Sequence, residues 1–228
     1  MAKKYDDLIA LIQSNVVEFS SIADKCLDEM HLSMSWIGYY LTCDADNPAL
    51  LLAEGAYGAA VESLSLTAFG LARPATLALR SHYELSLQYL FYREHPREWK
   101  TVSSVMGQGV LPGAVKKYLK ENYIQYEDRM AKLEKKKTRA LSDIYGTLSG
   151  VAHGYAINSI SKAESPTQLV GSPEVVKSMI SMCHDTSEVL SDTFLSAFDS
   201  NWMSVPQYVK DSVASRFPES NTASELSF

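Results

Sequence analysis

The sequence predicts an all-α protein, a helical bundle of about five to seven helices with an up-and-down core. Three observations carry that reading. Apolar residues recur at three-four spacing over long stretches, which places them on one face of a helix. Two segments, Asn47-Pro48 and Ser172-Pro173-Glu174, have the form of a helix start: a capping side chain, then proline where a missing N–H costs nothing. No alternating strand pattern of useful length and no internal repeat occurs.

The first helix spans Lys4 to about Met30, with Tyr5, Leu8, Ile9, Ile12, Val16, Phe19, Ala23, Cys26, Leu27 and Met30 on its apolar side and Asp6, Asp7, Asp24 and Asp28 opposite. Trp36 to Leu41 either extends it or forms a separate turn, and Cys43 to Pro48 is a polar connector. The second helix, about Ala49 to Leu71, is rich in alanine and glycine, which suits close helix contact. Pro74 restarts or kinks the chain and pushes Arg73 away from helical geometry. The third helix, Ala75 to about Arg93, is apolar around much of its circumference but carries Arg80, Glu84 and Gln88 as a polar stripe at i, i+4 and i+8. Charges in a buried helix are costly unless paired, so this stripe calls for a partner.

His95 to Lys100 ends that helix, and Thr101 to Gly113 reads as a loop punctuated by Gly107, Gly109, Pro112 and Gly113. A short helix follows over Ala114 to Asn122. Tyr123 to Ile157 forms one long helix or two, and Ser159 to Gly171 is a polar connector. The final helix runs from Pro173 to about Phe198. Residues 1–205 are thus expected to form a single helical domain, and 206–228 a polar C-terminal tail whose last stretch is disordered or ordered by a partner.

Composition narrows the setting. Hydrophobic residues make up 46% and charged residues 21%, ordinary for a globular chain. No apolar run reaches the roughly 18–20 residues of a membrane span, and the start does not read as a signal peptide, so no membrane association is expected. Three widely spaced cysteines, Cys26, Cys43 and Cys183, argue against a disulfide framework and for a reducing compartment, the cytoplasm. A net charge of −6 provides no global case for nucleic-acid binding.

Arg139 to Asn158 holds the most informative stretch: Gly146, Gly150 and Gly154 at four-residue spacing, with His153 among them. Glycine inside a helix costs about 0.5–1 kcal/mol relative to alanine. The spacing predicts a partner helix lying too near for side chains, or a break. His153 sits over Gly146 and one turn from Gly150. It is either a general acid or base, since imidazole titrates near neutral pH, or a core histidine satisfied by hydrogen bonds. Should the third helix pack against this stripe, Arg80, Glu84 and His153 would share one cleft, with Tyr145 and Ser149 beside it. Lys132, Lys135, Lys136, Lys137 and Arg139, opposed by Glu134 alone, form either a solvated helix face or a contact for RNA phosphates. No metal-ligand spacing, serine-hydrolase elbow or phosphate-binding glycine loop is present, so neither metal nor cofactor is expected.

Two segments carry a family resemblance. Leu77 to Tyr92, LALRSHYELSLQYLFY, resembles the R-S-x-x-E helix of HEPN-like bundles, and Tyr145 to Gly154, YGTLSGVAHG, resembles their later Y-x-x-L-S-x-x-x-H helix. The resemblance covers roughly residues 50–200. It implies a prokaryotic defence or toxin-type protein, often dimeric, whose active members are metal-independent ribonucleases. In that family an arginine precedes the histidine by a short spacing on one helix. His153 matches the histidine, but Gly146, Thr147 and Leu148 stand where the arginine would be. Two expectations follow from the resemblance: a ribonuclease using His153 with Arg80 and Glu84, or a non-enzymatic interaction and dimerisation subunit of a larger complex.

Overall fold

The computed structural model describes residues 2–104, 109–154 and 163–216. The chain is 79% helix and has no strand among those residues. Nine α-helices occur among them, more than the five to seven expected: α1 (Ala2–Cys43), α2 (Leu50–Ala68), α3 (Ala72–Tyr92), α4 (Pro96–Ser104), α5 (Pro112–Asn122), α6 (Tyr126–Glu134), α7 (Ile144–His153), α8 (Pro173–Ser196) and α9 (Gln207–Arg216). Short 3-10 turns lie at Pro166–Leu169 and Trp202–Ser204.

The differences from the sequence reading have local causes. Trp36 to Leu41 extends α1 as one continuous helix, because Trp36, Ile37 and Tyr40 keep the three-four spacing and are buried. Arg73 is helical despite preceding Pro74. The proline falls in the first turn of α3, where amides have no intrahelical partner to lose. His95 to Lys100 does not end the helical course. Pro96 opens α4, whose final turn takes Thr101 to Ser104 from the stretch read as a loop, and Pro112 opens α5 at its other end. After Pro206, where a polar tail was expected, Val209 and Val213 are buried along α9. The terminal stretch PESNTASELSF lies outside the described residues.

Tyr123 to Ile157 divides into α6 and α7, with non-helical chain between Lys135 and Asp143. Two buried carboxylates of α8 explain the break. Glu188 accepts hydrogen bonds from the Thr138 amide, at 3.0 Å to one oxygen and 3.2 Å to the other, and from the Thr138 hydroxyl. Asp185 accepts from the amides of Ala140 at 3.1 Å and Leu141 at 2.9 Å. Backbone donors captured by side chains are withdrawn from a helical ladder. Asp143 then starts α7 as its cap, accepting from the Gly146 amide at 2.9 Å.

By internal packing the chain divides into two compact units, each drawing on three stretches. The first takes Met1–Met30, Gly58–His82 and Arg139–Thr186. Its core joins Phe19, Cys26 and Met30 to Leu79, Leu148 and Met179. Gly70 is required there: its φ is +77°, and a Cβ would fall 2.7 Å from Asn15 Nδ2, which donates to the Phe69 carbonyl at 3.0 Å. The second unit takes His31–Tyr57, Tyr83–Thr138 and Ser187–Phe228. Its centre is aromatic, with Trp36 stacked on Phe194 at 6.2 Å between centroids and Tyr40 edge-on to Tyr89 at 5.3 Å. Small residues permit close approach in α2, where a Cβ on Gly55 would lie 3.3 Å from Leu85 Cδ1, but none would touch anything within 4 Å at Gly58.

Candidate functional site

His153 is the last residue of α7 and is exposed. Gly154 follows in the left-handed region, at φ 65°, and its amide closes on the Gly150 carbonyl. This glycine is therefore the helix stop rather than part of a packing stripe. Gly146 lies in the first turn, where an added Cβ would strike the Asp143 cap at 2.2 Å. A Cβ on Gly150 would meet nothing within 4 Å among the described residues. Of the two expectations from the spacing, the helix break is found at Gly154, and no close-packed partner meets Gly150 among the described residues.

That arrangement sets opposite signs for one substitution. Gly150→Ala is expected to stabilise the protein by about 0.5–1 kcal/mol, because alanine is the better helix former and has room. Gly154→Ala is expected to cost about 1–2 kcal/mol, the penalty of a Cβ in left-handed backbone. Denaturant melts of the two variants check both. A loss at Gly150 would mean that something packs against it.

Arg80, on α3, is half-buried, and its guanidinium carbon stands 5.7 Å from the centroid of the Tyr145 ring, a cation–π contact at the start of α7. Tyr145 precedes His153 by eight residues, about 12 Å along a helix axis. Tyr145, which Arg80 touches, and His153 thus stand at the two ends of α7. Glu84, one turn beyond Arg80, is half-buried and falls in the second compact unit. Ser149 is half-buried, with its hydroxyl oxygen buried and without a hydrogen-bond partner. Of the basic run, only Lys132 is helical, in the last turn of α6. Lys135, Lys136 and Lys137 lie in the turn beyond it and are exposed, Lys137 pairing with Glu134, and Arg139 is half-buried. The run is thus a turn, not a continuous helix face.

Among the described residues no three His, Cys, Asp or Glu side chains are grouped so as to hold a metal ion, and no helix is long and apolar enough to cross a membrane. No family model, characterised protein or solved structure matches the chain.

Chemistry-bearing groups missed from the sequence lie elsewhere. Asp185, Glu188 and Asp192, at i, i+3 and i+7 of α8, are all buried. Acids at helical spacing among Val189, Leu190, Phe194 and Leu195 were the available signal, since such positions are costly without partners. In the second unit, Asp44 accepts from the Tyr89 hydroxyl at 2.5 Å and from Arg93 Nε at 3.0 Å, while Arg93 lies over the Tyr40 ring at 4.8 Å. Burial and then the Asp44 bond hold the Tyr89 phenol well above its ordinary range. Close by in sequence, Glu94 accepts from Tyr118 at 2.6 Å and from Tyr123.

Tyr123 also lines a cleft of about 490 Å³ with Asn122, Gln125, Arg129, Ser196 and Asp199. Arg129 is only 7% exposed and donates to the carbonyls of Ser196 and Phe198 at the end of α8. A cation there opposes the negative end of the helix dipole. The arrangement closes a helix terminus, and burial lowers the Arg129 pKa.

Tyr126, 6% exposed at the start of α6, has its phenol pushed by burial from 10.0 up to about 12. The neutral form is favoured in the folded chain, so its contribution is fully present below pH 10 and lost as pH rises towards 12. The loss is on the order of 2–3 kcal/mol. Urea midpoints between pH 8 and 12 should fall, and Tyr126→Phe should remove that share of the slope.

Proposed function

We propose that the protein is a HEPN-like helical interaction subunit of a prokaryotic defence or toxin-type system, cytoplasmic and non-enzymatic, assembling with itself or with a protein partner. The observation that supports this reading is that Arg80 packs on Tyr145 in the first turn of α7, whereas His153 is exposed at the last residue of that helix, about 12 Å further along its axis than Tyr145. A ribonuclease of this class needs a base near the 2′-hydroxyl and a cation at the same phosphate. Gly146, Thr147 and Leu148, one to two turns before His153, supply no cation.

The second reading, a metal-independent ribonuclease using His153, Arg80 and Glu84, is favoured by one feature. The His153 imidazole is open to solvent, and Lys132, Lys135 and Lys136 are exposed for phosphate contacts. Labelled single-stranded and hairpin RNA, incubated with wild type and with His153→Ala, separates the two. The interaction reading expects no cleavage above background by either, and melting within about 0.5 kcal/mol of each other for an exposed position. Cleavage by wild type that falls at least a hundredfold in folded His153→Ala would overturn it.

A further inference from the structure

The first 27 residues of α1 carry apolar side chains that stay exposed among the described residues. Tyr5 is 56% exposed, Ile9 55%, Val16 39% and Leu27 46%. At about 100° per residue these four fall within an arc of about 40° on one side of the helix. Half-buried Ile12 and Ala23 adjoin them. Phe19, Cys26 and Met30, on the adjoining side about 20–100° round, are buried in the first unit's core. The stripe runs about 33 Å, six turns of helix, and each of its residues belongs to the first compact unit. Scattered exposed apolar side chains are ordinary, but a contiguous line at helical spacing is the pattern of a helix seam.

Charge decides the occupant. Along this part of α1, Asp6, Asp7, Glu18, Asp24 and Asp28 are exposed, against exposed Lys25 and the two lysines, Lys3 and Lys4, that precede the stripe in sequence. Asp6 and Asp24 border the stripe on its solvent side, about 60–100° round from it. A second copy gains no opposite charge from this flank. An antiparallel pair centred on Val16 sets Asp6 against the turn holding Asp24 and Asp28, and a parallel pair turns the acidic flank towards the partner's other flank, where Phe19 and Cys26 are already buried in the first unit's core. Like charges across a seam oppose pairing. An anionic lipid surface meets the same repulsion.

We infer that the outward face of α1 is the docking surface for a basic amphipathic helix of about 20–24 residues, its apolar line on Tyr5, Ile9, Val16 and Leu27 and its Lys or Arg flank on Asp6 and Asp24. This rests on the interaction reading above and specifies the chemistry of the partner segment. Helix-in-groove recognition of this kind reads anchors at three-four spacing, and the charges set orientation and association rate.

The test uses the full chain and three synthetic helical peptides of 24 residues. One has leucine at the seam and Lys/Arg flanks, one has the same seam with Glu flanks, and one is a scrambled version of the first. Titration by fluorescence anisotropy should show saturable micromolar binding of the basic peptide and at least tenfold weaker binding of the other two. Ile9→Asp and Val16→Asp, both at exposed positions, should each weaken binding at least tenfold. Asp6→Asn with Asp24→Asn should weaken it severalfold and flatten its salt dependence. Ile124→Asp, at a fully exposed position of the second compact unit, should leave it unchanged. Equal affinity for basic and acidic peptides, no binding of the basic one, or binding untouched by Ile9→Asp in a chain that still melts cooperatively would overturn the inference. So would a wild-type dimer that Ile9→Asp converts to monomer, since the occupant would then be a second copy. RNA cleavage is scored separately, so failure of the interaction reading and failure of this surface give different results.

Discussion

Trp36→Ala is expected to destabilise the protein by about 3–5 kcal/mol, the cost of emptying a fully buried aromatic site. Trp36 is 0% exposed in the second unit. Its ring lies 6.2 Å from that of Phe194, 5.7 Å from Phe198 and 6.4 Å from Tyr40, so one deletion removes contacts to α1, α8 and the chain just beyond α8. At roughly 2–4 °C per kcal/mol for a chain of this size, the melting temperature should fall by about 6–20 °C. Trp36→Phe should cost far less, about 1–2 kcal/mol, because the ring contacts largely remain. It also removes an indole N–H that is buried without an acceptor. With three tryptophans in the chain, Trp36→Phe should also shift the mean emission to the red by deleting the buried one. Equal destabilisation by both variants would show that the indole N–H, not the ring packing, is what the core requires.

Glu188→Ala should cost about 2–4 kcal/mol, combining a cavity with the loss of an acceptor for buried or half-buried donors. The side chain is 0% exposed and holds both the amide and the hydroxyl of Thr138. Glu188→Gln keeps the shape and one acceptor oxygen, and should cost about half as much. The effect should also be local: amide exchange at Thr138 and its neighbours should accelerate more than at α1 or α3. Uniform acceleration throughout would mean that Glu188 acts only through global stability. Asp185, which holds Ala140 and Leu141 in the same manner from the first unit, provides the comparison, since Asp185→Ala should free those two amides and leave Thr138 protected.

Trp36 and Glu188 also mark the two ends of what was legible in the sequence. Trp36 keeps the apolar spacing of α1, but the sequence left open whether Trp36 to Leu41 extends that helix or forms a separate turn; the structure shows one helix to Cys43. Glu188 belongs to a helix whose existence was announced by Ser172-Pro173-Glu174, yet nothing local says that its carboxylate points inward to capture Thr138. The division of Tyr123 to Ile157 into α6 and α7 follows from that capture, and so escaped a reading based on residues near in sequence.

The HEPN-like pair of segments behaves likewise. The helices that hold Arg80 and His153 are both present as α3 and α7. The expected meeting of the two side chains depended on α7 presenting its glycines to α3. Their roles turned out to be a capped first turn at Gly146 and a left-handed stop at Gly154, and these carry His153 to an exposed helix end.

The sequence by itself determined the all-helical class, the starts at Asn47-Pro48 and Ser172-Pro173 and the apolar face of each long helix, because those are properties of a segment with its own neighbours at three and four residues. Tertiary structure alone decided which polar groups are buried, where Asp185 and Glu188 halt a helix, and which face of α1 stays uncovered. Those outcomes depend on hydrogen bonds and packing between residues 40 or more apart in the chain, and no local pattern encodes the partner.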